Sequence, residues 1–303
     1  MQSLPDVGSR RPLSALWSDP PDDPINPART VPQAFPSCGV NLNAVLYLAG
    51  GAGPHPTALL LHGLPGNEQN LDCAQSLRRS GCNVLTIHYR GSWGSPGTFT
   101  IGNCLDDAAA AIAWLQDAAN FRRFRIDPQR IVVVGHSVGG FVAAYLASIN
   151  ESILATAIIS SVDFETVFGV GDAERASQII DDNVGFSAGL HILAGTSREK
   201  LAAEARHNAA RWSLPSYGRS LAGRPLLIAT ADDGFRFGGD LLADAVLTID
   251  GGRLTREHFN TDHSYSTCRI ELQSRLLLWL DAALYRPSAG ENGSASLIDM
   301  SQV

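Results

Sequence analysis

Short runs of branched apolar residues alternate with helix-length segments along this chain, and that alternation constrains the fold more than any other feature. Residues 57–62 read TALLLH, 83–89 NVLTIHY, 130–134 RIVVV and 225–230 PLLIAT. Runs this short, apolar on consecutive positions, fit strands buried on both faces of a parallel sheet. Weaker strand patterns stand at 43–48, 154–160 and 245–249, the last expected to be the final strand. Helices are expected near 70–80, where Gly81 stops the run, over an Ala-rich 105–118, from 140 to about 148, and over 269–284. The pattern predicts an α/β domain: a mostly parallel twisted sheet flanked by helices.

The 303 residues suffice for one such domain with a large core. Residues 1–36 are rich in Pro, Asp, Ser and Arg and are expected to form an extended or disordered arm. The domain proper is expected over 37–286, and the Ser/Gly-rich 287–303 as a flexible tail. Between two of the strands, 162–215 carries helical patterns and reads as a small helical cap insertion over the strands' C-terminal ends.

A net charge of −7 excludes nucleic acid as the main partner, because phosphate binding needs a basic face. No apolar run approaches the ~18 residues that span a bilayer, so no membrane partner is expected. The five cysteines are odd in number and none are spaced as metal ligands. Reduced thiols in a cytoplasmic protein without metal or cofactor are the expectation, as a monomer or homodimer.

The chemistry centres on Gly135-His136-Ser137-Val138-Gly139, which directly follows the apolar run 130–134 and opens a helix. A serine on a sharp strand-to-helix turn is a nucleophile elbow. Flanking glycines remove side chains that would collide there, and the helix N-terminus favours nearby negative charge. Such a serine needs a base, and the base an orienting carboxylate, with the acid and then the histidine following in chain order. His263 stands in the loop before the last helix and is preferred over His258 as the base. Asp232 and Asp233 both follow the strand at 225–230; Asp232, nearer the strand end, is the expected acid. The oxyanion hole is assigned to the N–H groups of Val138 and of Leu64, in the His62-Gly63-Leu64-Pro65-Gly66 loop. His62 reads as a structural group orienting that loop, and Arg90 as an ion-pair partner of Asp106 or Asp107. The cap aromatics Phe164, Phe168, Phe186 and Trp212 are candidates to line an acyl pocket, with plain packing as the alternative.

These pieces together resemble the α/β-hydrolase superfamily over about 40–284. The closer likeness is to its dienelactone-hydrolase and prolyl-oligopeptidase-like branch, through HGLPG at 62–66, YRGSWGSPG at 89–97, LDDAAAAIAWL at 105–115, IDPQRIVVVGHSVGG at 126–140, ATADD at 229–233 and DHSY at 262–265. The resemblance implies the α/β-hydrolase fold and Ser137, Asp232 and His263 as a triad that hydrolyses an ester, thioester or amide. Peptidases of that branch often draw a second oxyanion donor from a tyrosine, and 63–70 contains none. The expected function is therefore a carboxylesterase-type serine hydrolase acting on a small-molecule acyl substrate. The alternatives are a prolyl-oligopeptidase-like peptidase and a non-catalytic binding module on the same fold.

Overall fold

The computed structural model describes residues 12–182, 189–249 and 251–285. Eight strands form one sheet in the order β1-β2-β4-β3-β5-β6-β7-β8. They are β1 (Arg29–Ser37), β2 (Val40–Leu48), β3 (His55–Leu61), β4 (Asn83–Ile87), β5 (Ile126–His136), β6 (Ile153–Ile159), β7 (Leu226–Ala231) and β8 (Leu254–Phe259). β1 and β2 pair antiparallel, as do β2 and β4, and the remaining neighbours are parallel.

The helices are α1 (Leu71–Arg79), α2 (Ile101–Gln116), α3 (Ala118–Arg123), α4 (Val138–Ile149), α5 (Phe164–Phe168), α6 (Ala173–Asp182), α7 (Arg198–Asn208), α8 (Gly218–Leu221), α9 (Arg236–Leu247) and α10 (Arg269–Tyr285). Successive strand residues point to opposite faces, so the sheet feeds two cores. Leu59, Leu61, Ile131 and Val133 join one with α2, α4 and the cap. Ala58, Leu60, Val132 and Val134 join the other with α1 and α10. None of the described helices is long and apolar enough to cross a membrane.

Two expectations fail here. Residues 245–249 are not a strand: α9 ends at Leu247, and Leu242, Ala243 and Val246 are buried at helical spacing. The last strand is instead β8, LTREHF, whose half-exposed pattern carries charges. It lies at the sheet's edge, where charged side chains are tolerated and protect against further pairing. The segment 1–36 is not simply an arm either, since Arg29–Ser37 forms the opposite edge strand, with Phe35 and Ser37 buried. Pro32 and Pro36 disguise it, and an edge position is where a strand admits proline.

The cap lies between β6 and β7 and is pinned by two carboxylates. Glu204 on α7 accepts from the Ile101 and Gly102 N–H groups at the start of α2, at 2.9 and 2.8 Å. Those donors have no intrahelical partner, so the carboxylate both satisfies them and meets the helix dipole. Asp163, fully buried, caps α5 through the Thr166 N–H and holds the Leu214 N–H at 2.7 Å.

Candidate active site

β3 and β5 are neighbours, and the chain leaves β3 for β4 on one side before returning to β5 on the other. The crevice at their C-terminal ends is thus a topological switch point, where open α/β sheets bind ligands. The two loops flanking it are His62–Gly66 and the β5–α4 turn.

Ser137 occupies that turn with φ 59° and ψ −123°, a conformation that costs a non-glycine residue and persists only when its surroundings enforce it. The enforcement is visible. Its N–H donates to the Ile159 carbonyl at 2.9 Å, and its own carbonyl accepts from the Gly140 N–H at 2.9 Å. Side chains at 135 and 139 are forbidden, because a Cβ at Gly135 would strike the Gly139 carbonyl and one at Gly139 the Leu61 carbonyl. A Cβ at Gly63 would come within 2.7 Å of the Ser137 Cβ. The three glycines let the strand, the turn and the 62–66 loop close on the serine. Ser137 is buried, and its Oγ has no hydrogen-bond partner among the described residues.

The histidine expected in the last loop is bound to a carboxylate, but to the neighbour of the one expected. His263 Nδ1–H donates to Asp233 Oδ2 at 2.8 Å. Asp232 is instead 59% exposed and pairs with Nε2 of His258 at 3.2 Å. The cause is the Asp233-Gly234 turn. Gly234 takes φ +86°, and Asp233 Oδ1 accepts the Phe235 N–H at 2.9 Å, which folds the second aspartate back under the loop and turns the first toward β8. There Thr230 and His258 are in register on adjacent strands, and the Thr230 hydroxyl meets His258 Nδ1 at 2.9 Å. The structure therefore joins His263 to Asp233 and not to Asp232, the aspartate expected from sequence.

Burial raises the Asp233 carboxyl, but hydrogen bonds from His263, the Ser160 hydroxyl and the Phe235 N–H outweigh it and hold the group below the usual carboxylate range. The depressed folded value means this carboxylate stabilises the fold above its unfolded pKa of about 3.9 and loses that contribution as pH falls through the lower folded value. The stability gap between the native protein and Asp233→Asn should accordingly narrow below about pH 4, as urea melts at pH 6 and pH 3 can show.

Several contacts around the pair were invisible in sequence. Tyr265, wholly buried, meets the Ser160 hydroxyl at 3.0 Å. The Phe235 ring lies 5.1 Å from that of His263. His136 reaches the His263 carbonyl at 2.8 Å. The loop carrying His263 has its own lock, since Asp262 accepts both the N–H and the hydroxyl of Ser266 at 2.7 Å.

On the opposite wall, His62 Nδ1 meets the Gly63 carbonyl at 2.8 Å, and burial lowers the ring's pKa to about 4, so it remains neutral. The Trp93 indole N–H donates to the Pro65 carbonyl at 2.9 Å, fixing the same loop. The N–H groups of Leu64 and Val138 make no hydrogen bond to other described residues. Val138 opens α4, where first-turn donors lack helical acceptors.

The cap aromatics are packed rather than presented. Phe164, Phe168 and Trp212 are all buried, with Phe141 4.8 Å from Phe164 and 5.6 Å from Trp212 between ring centres. Phe186 lies outside the described residues. Arg90 forms the ion pair read from sequence, with Nε on Asp107 at 2.7 Å and a terminal nitrogen on Asp106 at 3.2 Å.

Residues 58–276 match the model of the alpha/beta hydrolase family. The chain belongs to the α/β hydrolase family. Membership supports hydrolytic activity. The chain is 34% identical over 102 residues to an uncharacterized protein of Mycobacterium tuberculosis strain H37Rv, and the match spans 33% of this chain and 34% of that relative. Among solved structures, this α/β hydrolase is similar to EstE1, a thermophilic carboxylesterase cloned from a metagenomic library. The TM-score is 0.64 at 21% identity, covering 92% of this chain and 95% of that one. The acylaminoacyl peptidase of Pyrococcus horikoshii gives a TM-score of 0.63 at 15% identity, covering 88% and 43%. An esterase of Pyrococcus furiosus, Pf2001, gives 0.60 at 17% identity, covering 87% and 98%.

Proposed function

We propose that this α/β hydrolase cleaves a carboxylic ester or thioester through an acyl-enzyme on Ser137. The observation that carries the reading is the 2.8 Å bond from His263 Nδ1–H to the buried Asp233, on a loop whose His263 carbonyl lies 2.8 Å from Nε2 of His136, the residue before the strained and unpartnered Ser137. With Nδ1 committed to the carboxylate, Nε2 of His263 keeps the lone pair that a general base needs. Ser137 Oγ attacks the acyl carbon while His263 Nε2 takes its proton. The Leu64 and Val138 N–H groups hold the oxyanion. His263 then protonates the leaving alcohol or thiol, and water repeats the sequence on the acyl-enzyme to release the acid.

Two observations favour an ester over a peptide. The likeness to the carboxylesterase covers nearly all of both chains, and Gly63–Asn70 offers no tyrosine hydroxyl to the oxyanion. Turnover of p-nitrophenyl butyrate against a panel of aminoacyl arylamides tests the reading. Ester hydrolysis lost in Ser137→Ala supports it, and turnover confined to the arylamides replaces it with the peptidase reading.

A further inference from the structure

The sequence around the elbow contains a residue that packing alone does not explain. β5 runs through Ile131, Val132, Val133 and Val134, all buried, and its final residue is His136. Alternation along the strand gives His136 the face of Val132 and Val134, which is the α10 side of the sheet. It is 3% exposed, and burial, with His263 next in weight, lowers its pKa to about 3. A neutral imidazole there leaves one nitrogen without a partner: Nδ1 is buried and makes no hydrogen bond among the described residues. A valine or leucine would fill such a strand end without that penalty. A local rule broken in a well-packed core points to function.

The other nitrogen shows what the function is. His136 Nε2 lies 2.8 Å from the backbone carbonyl of His263. A carbonyl only accepts, so Nε2 carries the proton and Nδ1 the lone pair. The two rings also touch, with centres 4.7 Å apart and planes at 42°. The charged groups facing His136 are His263, Arg269 and Asp233. His136 is covalently next to Ser137 and bonded to His263, so it joins the nucleophile's turn directly to the base's loop.

We propose that His136 is a positioning residue that sets the separation and orientation of Ser137 and His263. The proposal rests on the acyl-enzyme reading above and assigns that site a part no triad member supplies. Asp233 fixes the His263 ring from its Nδ1 side but does not tie the loop to the elbow. The His136 N–H does so through the main chain, leaving the ring's Nε2 free for proton transfer. A neutral partner is required, because a second cation 4.7 Å away would oppose the imidazolium formed at each turnover. Misplacement of reacting groups by about 1 Å costs on the order of 100-fold in rate, which is the expected scale.

The test compares His136→Gln, His136→Asn and His136→Phe with the native enzyme on p-nitrophenyl butyrate, alongside thermal melts and Ser137→Ala. Gln places an uncharged N–H where His Nε2 stands, Asn falls short of the carbonyl, and Phe keeps the ring without a donor. The expected result is a loss of kcat of roughly 100-fold in Phe and Asn, KM within about twofold, and kcat within about fivefold in Gln. Should Phe fail to fold, the contrast between Gln and Asn decides the matter. A folded Phe variant with native kcat, or equal losses in Gln and Asn, overturns the positioning role while an inactive Ser137→Ala leaves the acyl-enzyme reading standing. Turnover surviving in Ser137→Ala overturns both.

Discussion

Asp233→Asn is expected to lower kcat by roughly ten-thousand-fold, while Asp232→Asn stays within about threefold of the native enzyme. The two carboxylates are neighbours in sequence, yet their side chains are 1% and 59% exposed. An amide at 233 can present its NH2 to His263 Nδ1, which selects the tautomer with the proton on Nε2, where a base must have none. Under the proposed mechanism the carboxylate would also stabilise the imidazolium formed when Ser137 gives up its proton, and a neutral amide would not. Asp232 pairs with the partly exposed His258, and solvent screens that pair. Steady-state kinetics on one ester decides the assignment. A larger loss at 232 would return the acid to the residue nearer the strand, and equal losses would contradict a distinct role for Asp233.

Arg90→Met is expected to destabilise the fold by about 3–5 kcal/mol. Asp107 on α2 is fully buried and accepts the Arg90 Nε–H at 2.7 Å, the Arg90 backbone N–H at 2.7 Å and the Ser37 hydroxyl at 2.6 Å. One carboxylate therefore joins the end of β1, the loop after β4 and α2. Its burial raises the carboxyl, and the Ser37 and Arg90 contacts pull it back. Methionine keeps much of the arginine's volume but leaves the carboxylate buried beside no cation, which is the costly outcome. At this chain length the loss corresponds to a drop in melting temperature on the order of 10 °C, readable by calorimetry. A loss below about 1 kcal/mol would show that the pair contributes no more than a surface one.

The central strands and the elbow were legible because their physics is local. Val132–Val134 and Leu59–Leu61 are buried on both faces, so they appear as unbroken apolar runs. Gly135 and Gly139 are dictated by backbone atoms a few residues away or on the adjoining strand. The edges were harder. β1 carries two prolines and β8 carries Arg256 and Glu257, features that edge positions tolerate and that erase the strand pattern. The apolar end of α9 imitated a strand because Ala245–Ile249 reads the same at either period over so few residues.

The choice between Asp232 and Asp233 turned on a glycine with positive φ and on a bond to a main-chain N–H. Nearness to the strand end does not show which aspartate the turn aims at His263. Phe164, Phe168 and Trp212 were equally ambiguous, since an aromatic that lines a pocket and one that fills a core are the same letter. His136 stood in plain view inside the motif, and only the three-dimensional path of residues 260–268 shows what it holds.

The central claim is that Ser137 is the nucleophile and His263 its base. Reaction of the protein with a fluorophosphonate, followed by mass mapping of the adduct, measures this most directly. The expected result is one adduct on the Ser137 peptide, absent in Ser137→Ala and formed far more slowly in His263→Ala. An adduct that persists in Ser137→Ala, or a labelling rate indifferent to His263, would contradict it.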